Sequence, residues 1–441
     1  MKDTIVAPAT AAGTAAVGII RLSGENALPI AAKVFSAKGW SAREAEPYKM
    51  YLGKADAGKF ADKAFCMYCK APKSYTGEDV VEFHLHGGKV ITEGLMRRLV
   101  ALGARPALPG EFTKRAYLNG KLDLAEAEGI EDMIFAGSEA EAMQAYRMMG
   151  GEVSKGIERV KKLLLEAAAN IDAVLDYPEE LTEDNAPLIR AALTRAKEEL
   201  DGLYEGSKNR RLLKEGASLV LAGLTNVGKS SLMNALLKDD RAIVTDIAGT
   251  TRDVLRESFE LEGVTVNVSD TAGIREGNDE VERIGISRAE RAIEGADLVL
   301  FVTDLSVPES EEERALYAKI KHKKHIRVAN KGDEARYPRE CDIVTEAKTG
   351  GNIDALTALI SEKLELKKRL ETPILTRERQ IYAVKAAAEH VRAALETMDA
   401  TGLDCLAVDV KAAWAELAAL TGEDVAESVV DEIFSRFCVG K

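Results

Sequence analysis

The sequence is poor in the features that mark a secreted or membrane-embedded protein. Its 441 residues include five cysteines, an odd number spread thinly over a long chain, which argues against a disulfide framework. No apolar run approaches the roughly 20 residues needed to span a bilayer. The first residues also lack a signal-peptide pattern. We therefore expect a cytoplasmic protein that has no membrane as a partner.

Positive charge is also in deficit, since 60 Lys and Arg stand against 73 Asp and Glu and the net charge is −13. A chain this acidic is not suited to bind nucleic acid over its whole surface. An RNA partner would have to be held by a local basic patch or by another subunit. The length predicts about three domains of roughly 150 residues each.

One stretch has the pattern of a phosphate-binding loop. An apolar run at residues 219–222 predicts a buried strand, the motif Gly223-x-x-x-x-Gly228-Lys229-Ser230 follows it, and a helical pattern comes next. Backbone N–H groups in a glycine-rich turn and at a helix N-terminus attract phosphate. We expect Lys229 to reach the β- and γ-phosphates and the Ser230 hydroxyl to ligate Mg²⁺.

Three further nucleotide-binding motifs follow in the order that a GTPase requires. The segment 249–253 (Gly-Thr-Thr-Arg-Asp) would be a switch loop with a metal-ligating Thr, and Asp270 opens Asp-Thr-Ala-Gly after a predicted hairpin at residues 259–269. The segment 330–333 (Asn-Lys-Gly-Asp) follows a predicted strand. The Asp333 carboxylate accepts the two donors that guanine offers on N1 and N2, and adenine has no 2-amino group. The sequence therefore predicts GTP rather than ATP.

The last nucleotide-binding position is filled by residues 346–348 (Glu-Ala-Lys), where a backbone N–H would meet the guanine O6. Ile274 stands where Ras-like proteins place a water-orienting Gln. Hydrolysis must therefore use another group or be slow. The residues themselves do not choose among the candidates that follow, which are Arg275, Glu276, Asp279, Glu280, Glu282 and Arg283.

The rest of the chain separates into an α+β part and a helical part. Short predicted strands and helices, one of them over residues 26–35, alternate up to about residue 120. Helical patterns fill residues 122–206 and return after Pro373, and neither stretch can bury its apolar stripes alone. The economical interpretation is one helical domain with the nucleotide domain inserted in it. The predicted domains are 1–119, 120–212, 213–372 and 373–441.

Two details of the helical part are specific enough to be checked. An acidic turn at residues 177–184 is expected to separate two long helices, the second starting near Pro187. The last helical stripe is expected to comprise four residues, namely Val425, Val429, Ile433 and Phe437.

Two cysteines and two histidines resemble fragments of metal sites. Cys66 and Cys69 have a zinc-like spacing, but no second Cys or His pair lies at a suitable distance in the sequence. Residues three apart on a strand face opposite sides, so structural thiols are expected. His84 and His86 would share one strand face without an apparent third ligand, which favours packing or hydrogen bonding.

Together the motifs resemble those of the tRNA-modification GTPases known as the MnmE or TrmE family. The resemblance includes residues 280–285 (Glu-Val-Glu-Arg-Ile-Gly) and, most discriminating, the terminal 437–441 (Phe-Cys-Val-Gly-Lys). It covers essentially the whole chain and implies a multidomain α/β protein. Such a protein has an N-terminal α+β folate-binding-like domain and a helical domain with a Ras-like P-loop GTPase domain inserted in it. Two departures are Glu346, where Ser is usual, and Thr225, where Pro is usual.

The resemblance implies a GTPase that is activated by K⁺ and whose GTPase domains dimerise across the nucleotide face. By match, the Mg²⁺ ligands are Ser230 and Thr251, and the K⁺ ligands are Asn226, Thr245, Ile247 and Thr250. The catalytic residues of the GTPase are Lys229 and Glu282, the latter as the acid that orients water. The residues predicted to contact GTP are Asn226, Val227, Gly228, Lys229, Ser230, Ser231, Thr245, Asp246, Ile247, Ala248, Gly249, Thr250, Thr251, Asp270, Thr271, Ala272, Gly273, Asn330, Lys331, Asp333, Ala347 and Lys348.

The resemblance also implies that the N-terminal domain makes a homodimer and binds 5-formyl-tetrahydrofolate. The matching positions are Arg21, Glu78, Lys121 and Lys441, and a catalytic role for Cys438 is slightly favoured over a packing role. With an FAD-dependent partner, MnmG or GidA, the family forms a heterotetramer. The pair attaches aminomethyl or carboxymethylaminomethyl groups at C5 of the wobble uridine of certain tRNAs. The sequence has no dinucleotide-binding fingerprint of its own, which agrees with FAD coming from the partner.

Two other functions fit part of the pattern. A ribosome-assembly GTPase of the Era or Der kind shares the nucleotide motifs but would carry a KH-like RNA-binding domain, which the sequence does not indicate. A folate-dependent one-carbon transferase with a GTPase added for regulation is the other alternative.

Overall fold

The chain divides into two units, each with its own sheet. The structure, a computed structural model, describes residues 3–237, 257–270, 290–398, 403–423 and 425–441, and omits the side chains of residues 178–184. One unit comprises residues up to 131 with 148–193 and 389–441, and the other comprises 132–147 with 194–388. Every helix among the described residues is too short or too polar to span a bilayer.

The first unit contains a largely antiparallel sheet with helices packed against it. Its described strands are β1 (Ile5–Pro8), β2 (Ala15–Ser23), β3 (Phe35–Ser36), β4 (Met50–Asp56), β5 (Ala61–Cys69), β6 (Val80–Gly87) and β7 (Arg105–Pro106). They lie in the order β3-β4-β5-β6-β2-β1-β7. Helices α1 (Ala27–Ala31) and α2 (Lys89–Ala101) pack on the sheet over alternating buried residues such as Ile20, Phe83 and Leu85.

The helix predicted over residues 26–35 is too long. Helix α1 ends at Ala31, and Phe35 begins a short strand whose register pairs it with Ala55. The Phe35 ring packs edge-on against Trp40, with 5.4 Å between ring centroids. Burial of an aromatic ring in the sheet core outweighs local helix propensity.

Helices complete the first unit and continue into the second. They are α3 (Glu111–Leu118), α4 (Leu124–Phe135), α5 (Glu139–Met149), α6 (Glu152–Asp176), α7 (Pro178–Ser207) and α8 (Arg210–Glu215). In the first unit α6 packs against a later helix, Leu403–Thr421. Lys161 of α6 is almost fully buried there and donates to Glu158 and Glu423.

Two helical predictions are wrong in detail. Residues 178–184 are the start of α7 and form no turn, and Pro178 occupies the first helical position, where its missing N–H costs nothing. The last helix, Glu427–Ser435, buries Val430 and Phe434, whereas the predicted Val429 is exposed. Phe434 packs on Phe437, which is buried as predicted.

The second unit contains a mostly parallel sheet. Its described strands are β8 (Ala217–Ala222), β9 (Glu257–Leu261), β10 (Val264–Asp270), β11 (Leu298–Asp304), β12 (His325–Asn330) and β13 (Ile343–Val344). They lie in the order β13-β12-β11-β8-β10-β9, and only the β9–β10 hairpin is antiparallel. Further helices of the chain are α9 (Lys229–Leu237), α10 (Glu311–Ile320), α11 (Ile353–Leu364), α12 (Leu366–Leu370), α13 (Glu378–Thr397), α14 (Leu403–Thr421) and α15 (Glu427–Ser435).

The N-terminal end of α5 contacts the parallel sheet of the second unit. The backbone N–H of Ala140 donates to the carbonyl of Gly263 in the β9–β10 turn at 2.9 Å, and the Ala140 side chain joins the core of this sheet. The N-terminal end of α5 therefore packs with the parallel sheet of the second unit.

Arg115 is a charged side chain at the centre of the first unit. It is 1% exposed and bridges three carboxylates, lying 2.8 Å from Asp3, 3.0 Å from Glu78 and 3.1 Å from Glu111. Removing one member of such a network leaves buried charges without a counter-ion, which costs far more than an exposed pair contributes.

We predict that Arg115→Met lowers the free energy of unfolding of the first unit by about 3–5 kcal/mol. Urea denaturation followed by circular dichroism measures the change. The control is Arg97→Met, because the Arg97 side chain is 70% exposed and forms a surface ion pair with Glu93 at 3.7 Å. It should change the same quantity by less than about 0.5 kcal/mol. Equal losses in the two variants would contradict the prediction.

Candidate nucleotide-binding and anion-binding sites

The predicted phosphate-binding loop connects β8 to α9, and two of its glycines are required by close contacts. Gly228 has φ +93°, and a Cβ there would lie 2.3 Å from the Asn330 Nδ2 atom. A Cβ on Gly223 would lie 2.3 Å from the carbonyl oxygen of Val302. No larger residue fits either position without moving the neighbouring strand ends.

Lys229 and Ser230 start α9 at the rim of this loop. The Lys229 side chain is 4% exposed, and its Nζ donates to the carbonyls of Gly223 at 3.0 Å and Leu224 at 2.7 Å. The Ser230 hydroxyl donates to the Asp270 carboxylate at 3.4 Å. A hydroxyl beside a carboxylate is the oxygen donor set that Mg²⁺ prefers, so these residues fit the predicted ion.

Asn330, at the end of β12, ties three segments together through one buried amide. Its Nδ2 donates to the carbonyl of Val227 in the phosphate loop at 3.0 Å. Its Oδ1 accepts from the backbone N–H of Ala347 at 3.1 Å and from the Thr345 hydroxyl at 3.3 Å. The phosphate loop and the predicted guanine loops are thus held in one arrangement.

Lys331 and Asp333 follow on a turn whose shape is set by a positive backbone angle. Lys331 has φ +60°, and Asp333 lies exposed on the 3₁₀ turn Gly332–Glu334. Lys331 Nζ is 2.5 Å from Asp304 at the end of β11. Burial opposes ionisation of Asp304, but hydrogen bonds from Lys331 and Ser306 outweigh it and lower its pKa.

The sequence reasoning missed Asp304. A signal existed, because an acidic residue that ends an apolar parallel strand lies at the sheet edge where ligands bind in α/β folds. The predicted residues outside the described ranges are Thr245, Asp246, Ile247, Ala248, Gly249, Thr250, Thr251, Thr271, Ala272, Gly273 and Glu282.

In the first unit, Arg21 forms part of a second polar site. Its Nε donates to Glu82 at 2.7 Å, and its guanidinium lies 5.2 Å from the Tyr75 ring centre and 5.7 Å from that of Phe112. One nitrogen also approaches the Gly440 carbonyl at 3.5 Å. Arg21 is therefore oriented on three sides and placed beside the terminal segment.

Lys441, at the end of the terminal segment, lies near Arg21. Burial, and next the charge of Arg21, lower the pKa of the Lys441 amine below its ordinary value. Cys438 lies exposed in the same terminal segment. Two cations that are partly withdrawn from water favour an anionic ligand, because such a ligand relieves their mutual repulsion.

Glu78 lies in the loop between β5 and β6, which also carries Tyr75, and Lys121 contacts this loop. The Glu78 carboxylate accepts from the Ser23 hydroxyl at 2.8 Å and from Arg115 at 3.0 Å. Lys121 donates to the Pro72 carbonyl at 3.1 Å, and its stem lies against Gly77. The loop thus brings the predicted Arg21, Glu78 and Lys121 into one neighbourhood.

Sequence reasoning also missed the partners that orient these groups. Glu82 faces Arg21 across β2 and β6, which only the strand register reveals.

Cys66 is buried, which raises the pKa of its thiol, and Cys69 is half-buried. Within the described ranges, no three His, Cys, Asp or Glu side chains are grouped so as to hold a metal ion.

Comparison with known proteins identifies the family. A profile described as "GTP-binding protein TrmE N-terminus" matches residues 4–121, and one described as "MnmE helical domain" matches residues 124–438. The chain belongs to the MnmE family. The second profile spans the helical stretches and the parallel sheet between them, so the predicted fold class is confirmed. The domain bounds remain a prediction.

Curated MnmE proteins match this chain from end to end. It is 39% identical over 456 residues to "tRNA modification GTPase MnmE" of Aquifex aeolicus, with 100% of both chains covered. It is 40% identical over 456 residues to the Azoarcus protein of the same description, covering 100% of this chain and 98% of that one. This MnmE-family chain is therefore a GTP-binding GTPase of tRNA modification, and neither alternative function is retained.

Solved structures add little to this. The GDP·AlF₄⁻ complex of Aquifex aeolicus Era is 24% identical over 39% of this chain and 66% of that one, with a TM-score of 0.25. A score this low supports no conclusion.

We predict that Gly228→Ala weakens nucleotide binding about a hundredfold or more, because its Cβ displaces Asn330. Equilibrium binding of a fluorescent GDP analogue measures the effect. Gly58→Ala is a matched control, since Gly58 also has φ +93° but nothing lies within 4 Å of its Cβ position. The prediction would be wrong if the two variants bound GDP equally well.

Proposed function

We propose that this GTPase is activated by K⁺ and acts with an FAD-dependent partner of the MnmG or GidA kind. The pair installs carboxymethylaminomethyl or aminomethyl groups at C5 of the wobble uridine of certain tRNAs, with a tetrahydrofolate as one-carbon donor. The observation that carries the proposal is that the chain has two separate places for anions. One is the loop around Lys229, and the other is the Arg21–Lys441 pair.

Several described residues would bind GTP. Lys229 and the backbone of the loop would hold the phosphates, and Ser230 would hold Mg²⁺. Its second proposed protein ligand, Thr251, lies outside the described residues. Asp333 accepts from the guanine N1 and N2 donors, and the Ala347 N–H donates to O6. Lys331 supports the purine from the position that Asp304 fixes.

Asn226 supports a K⁺ site at the exposed tip of the loop. Its φ of +64° is uncommon for a residue other than glycine. The other ligands proposed for K⁺ are Thr245, Ile247 and Thr250. A cation there would neutralise charge that develops on the phosphates, and Glu282 would orient the attacking water, since Ile274 cannot.

We predict that Glu282→Ala removes most GTP turnover while GTP affinity stays within about twofold, because the acid acts on water and not on the bound nucleotide. Phosphate release at saturating GTP and equilibrium binding measure the two quantities. The wild type should also turn over faster in K⁺ than in Na⁺ at equal ionic strength. Unchanged turnover in the variant rejects Glu282, and equal rates in the two salts reject the potassium site.

The first sheet supports the proposed homodimer. Four apolar side chains on the face opposite Ile20 and Phe83 are between 46% and 52% exposed, namely Val17, Met50, Leu52 and Phe65. The strand register places Leu52 opposite Phe65, and Phe65 opposite His84. An apolar patch of this kind is typical of a surface that is covered by a partner, and a second copy is the proposed partner.

The terminal segment supports the folate site. The two cations Arg21 and Lys441 suit the carboxylates of the folate tail, and the acceptor Glu78 suits the pterin donors. Cys438 is exposed in the same terminal segment, and we propose it as a catalytic candidate for the one-carbon step.

The decisive experiment is nucleoside analysis of tRNA from cells in which this gene is deleted. We expect the C5 modification of wobble uridine to be lost and to return with the wild-type gene. The variant Arg21→Ala should not restore it, although its purified protein should hydrolyse GTP normally. Lys89→Ala, at an 80% exposed side chain, is the control that should restore it. Intact modification in the deletion strain would defeat the proposed function.

A further inference from the structure

Glu346 contacts its own loop through its side chain, which bonds to Thr349, and through its backbone. Its carboxylate Oε2 accepts from the Thr349 hydroxyl at 2.9 Å, and its backbone N–H donates to the Gly351 carbonyl at 3.0 Å. Its own carbonyl accepts from the N–H groups of Thr349 at 3.1 Å and Gly350 at 2.9 Å. Glu346 therefore closes the loop at residues 346–351.

The same side chain also lies against the neighbouring loop, which carries Asp333. A Cβ built on Gly332 would be 3.3 Å from Glu346 Cγ and 2.9 Å from Val344 Cγ1. The N–H of Gly332 donates to the Thr345 carbonyl at 3.1 Å. The stem of Glu346 thus fills the space beside the residue that directly precedes Asp333.

We propose that Glu346 is a positioning residue that sets the preference of this GTPase for guanine. Its stem supports the loop of Asp333, and its carboxylate anchors the loop of Ala347 through Thr349. The hydrogen bond to Thr349 also holds the negative charge over Gly351, where the Glu346 Oε2 atom lies 3.0 Å from the Cβ position. This inference rests on the proposed contact between Asp333 and guanine.

The consequence concerns how well the protein distinguishes GTP from ITP. Inosine lacks the 2-amino group and offers Asp333 one donor where guanosine offers two. A correctly placed Asp333 therefore favours GTP. If the Asp333 loop is less firmly held, the preference for GTP over ITP falls. The hydrogen bond from the 2-amino group to Asp333 forms only when the carboxylate is correctly placed.

The test compares GTP and ITP affinities of full-length variants by equilibrium binding. Glu346→Ala should weaken GTP binding roughly tenfold, as expected for loss of a hydrogen bond to a charged group together with its packing. ITP binding should weaken less, so the affinity for GTP divided by the affinity for ITP should fall.

Further variants separate positioning from charge and from general stability. Glu346→Gln keeps the stem and an oxygen that accepts from Thr349, so it should retain the wild-type ratio. Thr349→Val should narrow the ratio in the wild-type background and add nothing to Glu346→Ala. Glu340→Ala is the control, since that side chain is 85% exposed and pairs only with Arg327 among the described contacts.

Two outcomes overturn the inference: a wild-type GTP-to-ITP ratio in Glu346→Ala, or a ratio in Glu346→Gln that matches Glu346→Ala. Asp333→Asn tests the underlying contact separately. Its amide can donate to the 2-oxo group of xanthine, so this variant should prefer XTP. If Asp333→Asn shows no such shift, the proposed guanine contact fails. If it does and Glu346→Ala keeps the wild-type ratio, only the role of Glu346 fails.

Discussion

The nucleotide site depends on one buried side-chain amide. Asn330 donates to the phosphate loop through Val227 and accepts from the segment that carries Thr345 and Ala347. A buried amide with its donor and acceptor both engaged is costly to disturb, because each lost bond leaves a polar group unpaired in a dry environment. The loop that would hold phosphate and the loop that would contact the base are therefore linked through the hydrogen bonds of a single side chain.

The parts of the site that follow from local chemistry could be predicted from the sequence. Gly223 and Gly228 stand at positions where backbone approaches neighbouring atoms, and Asp270 stands at the end of a strand with alternating buried residues. These features depend on spacing along the chain, which the sequence contains directly. The same is true of the α/β order of the second unit, since short apolar runs alternate there with helical patterns.

Other parts depend on contacts between distant segments. The pairing of Arg21 with Glu82 follows from the register of β2 and β6, and the burial of Arg115 depends on Asp3 and Glu78, which are far from it in sequence. Propensity also misjudged α7, because a proline at the first turn of a helix and a proline in a loop have the same local signature. Tertiary packing decides such cases, and a single sequence does not display it.

Among the described residues, both sheets end in short strands. The first sheet has β3 and β7 at its edges, with two residues each, and the second has the two-residue β13 and the five-residue β9. Long free edges would template further strands and lead to open-ended polymers. The second copy proposed above would cover the exposed apolar side chains of the first sheet. Short edge strands in the described part of the chain thus disfavour fibrous aggregation, and the proposed homodimer would limit assembly to a finite size.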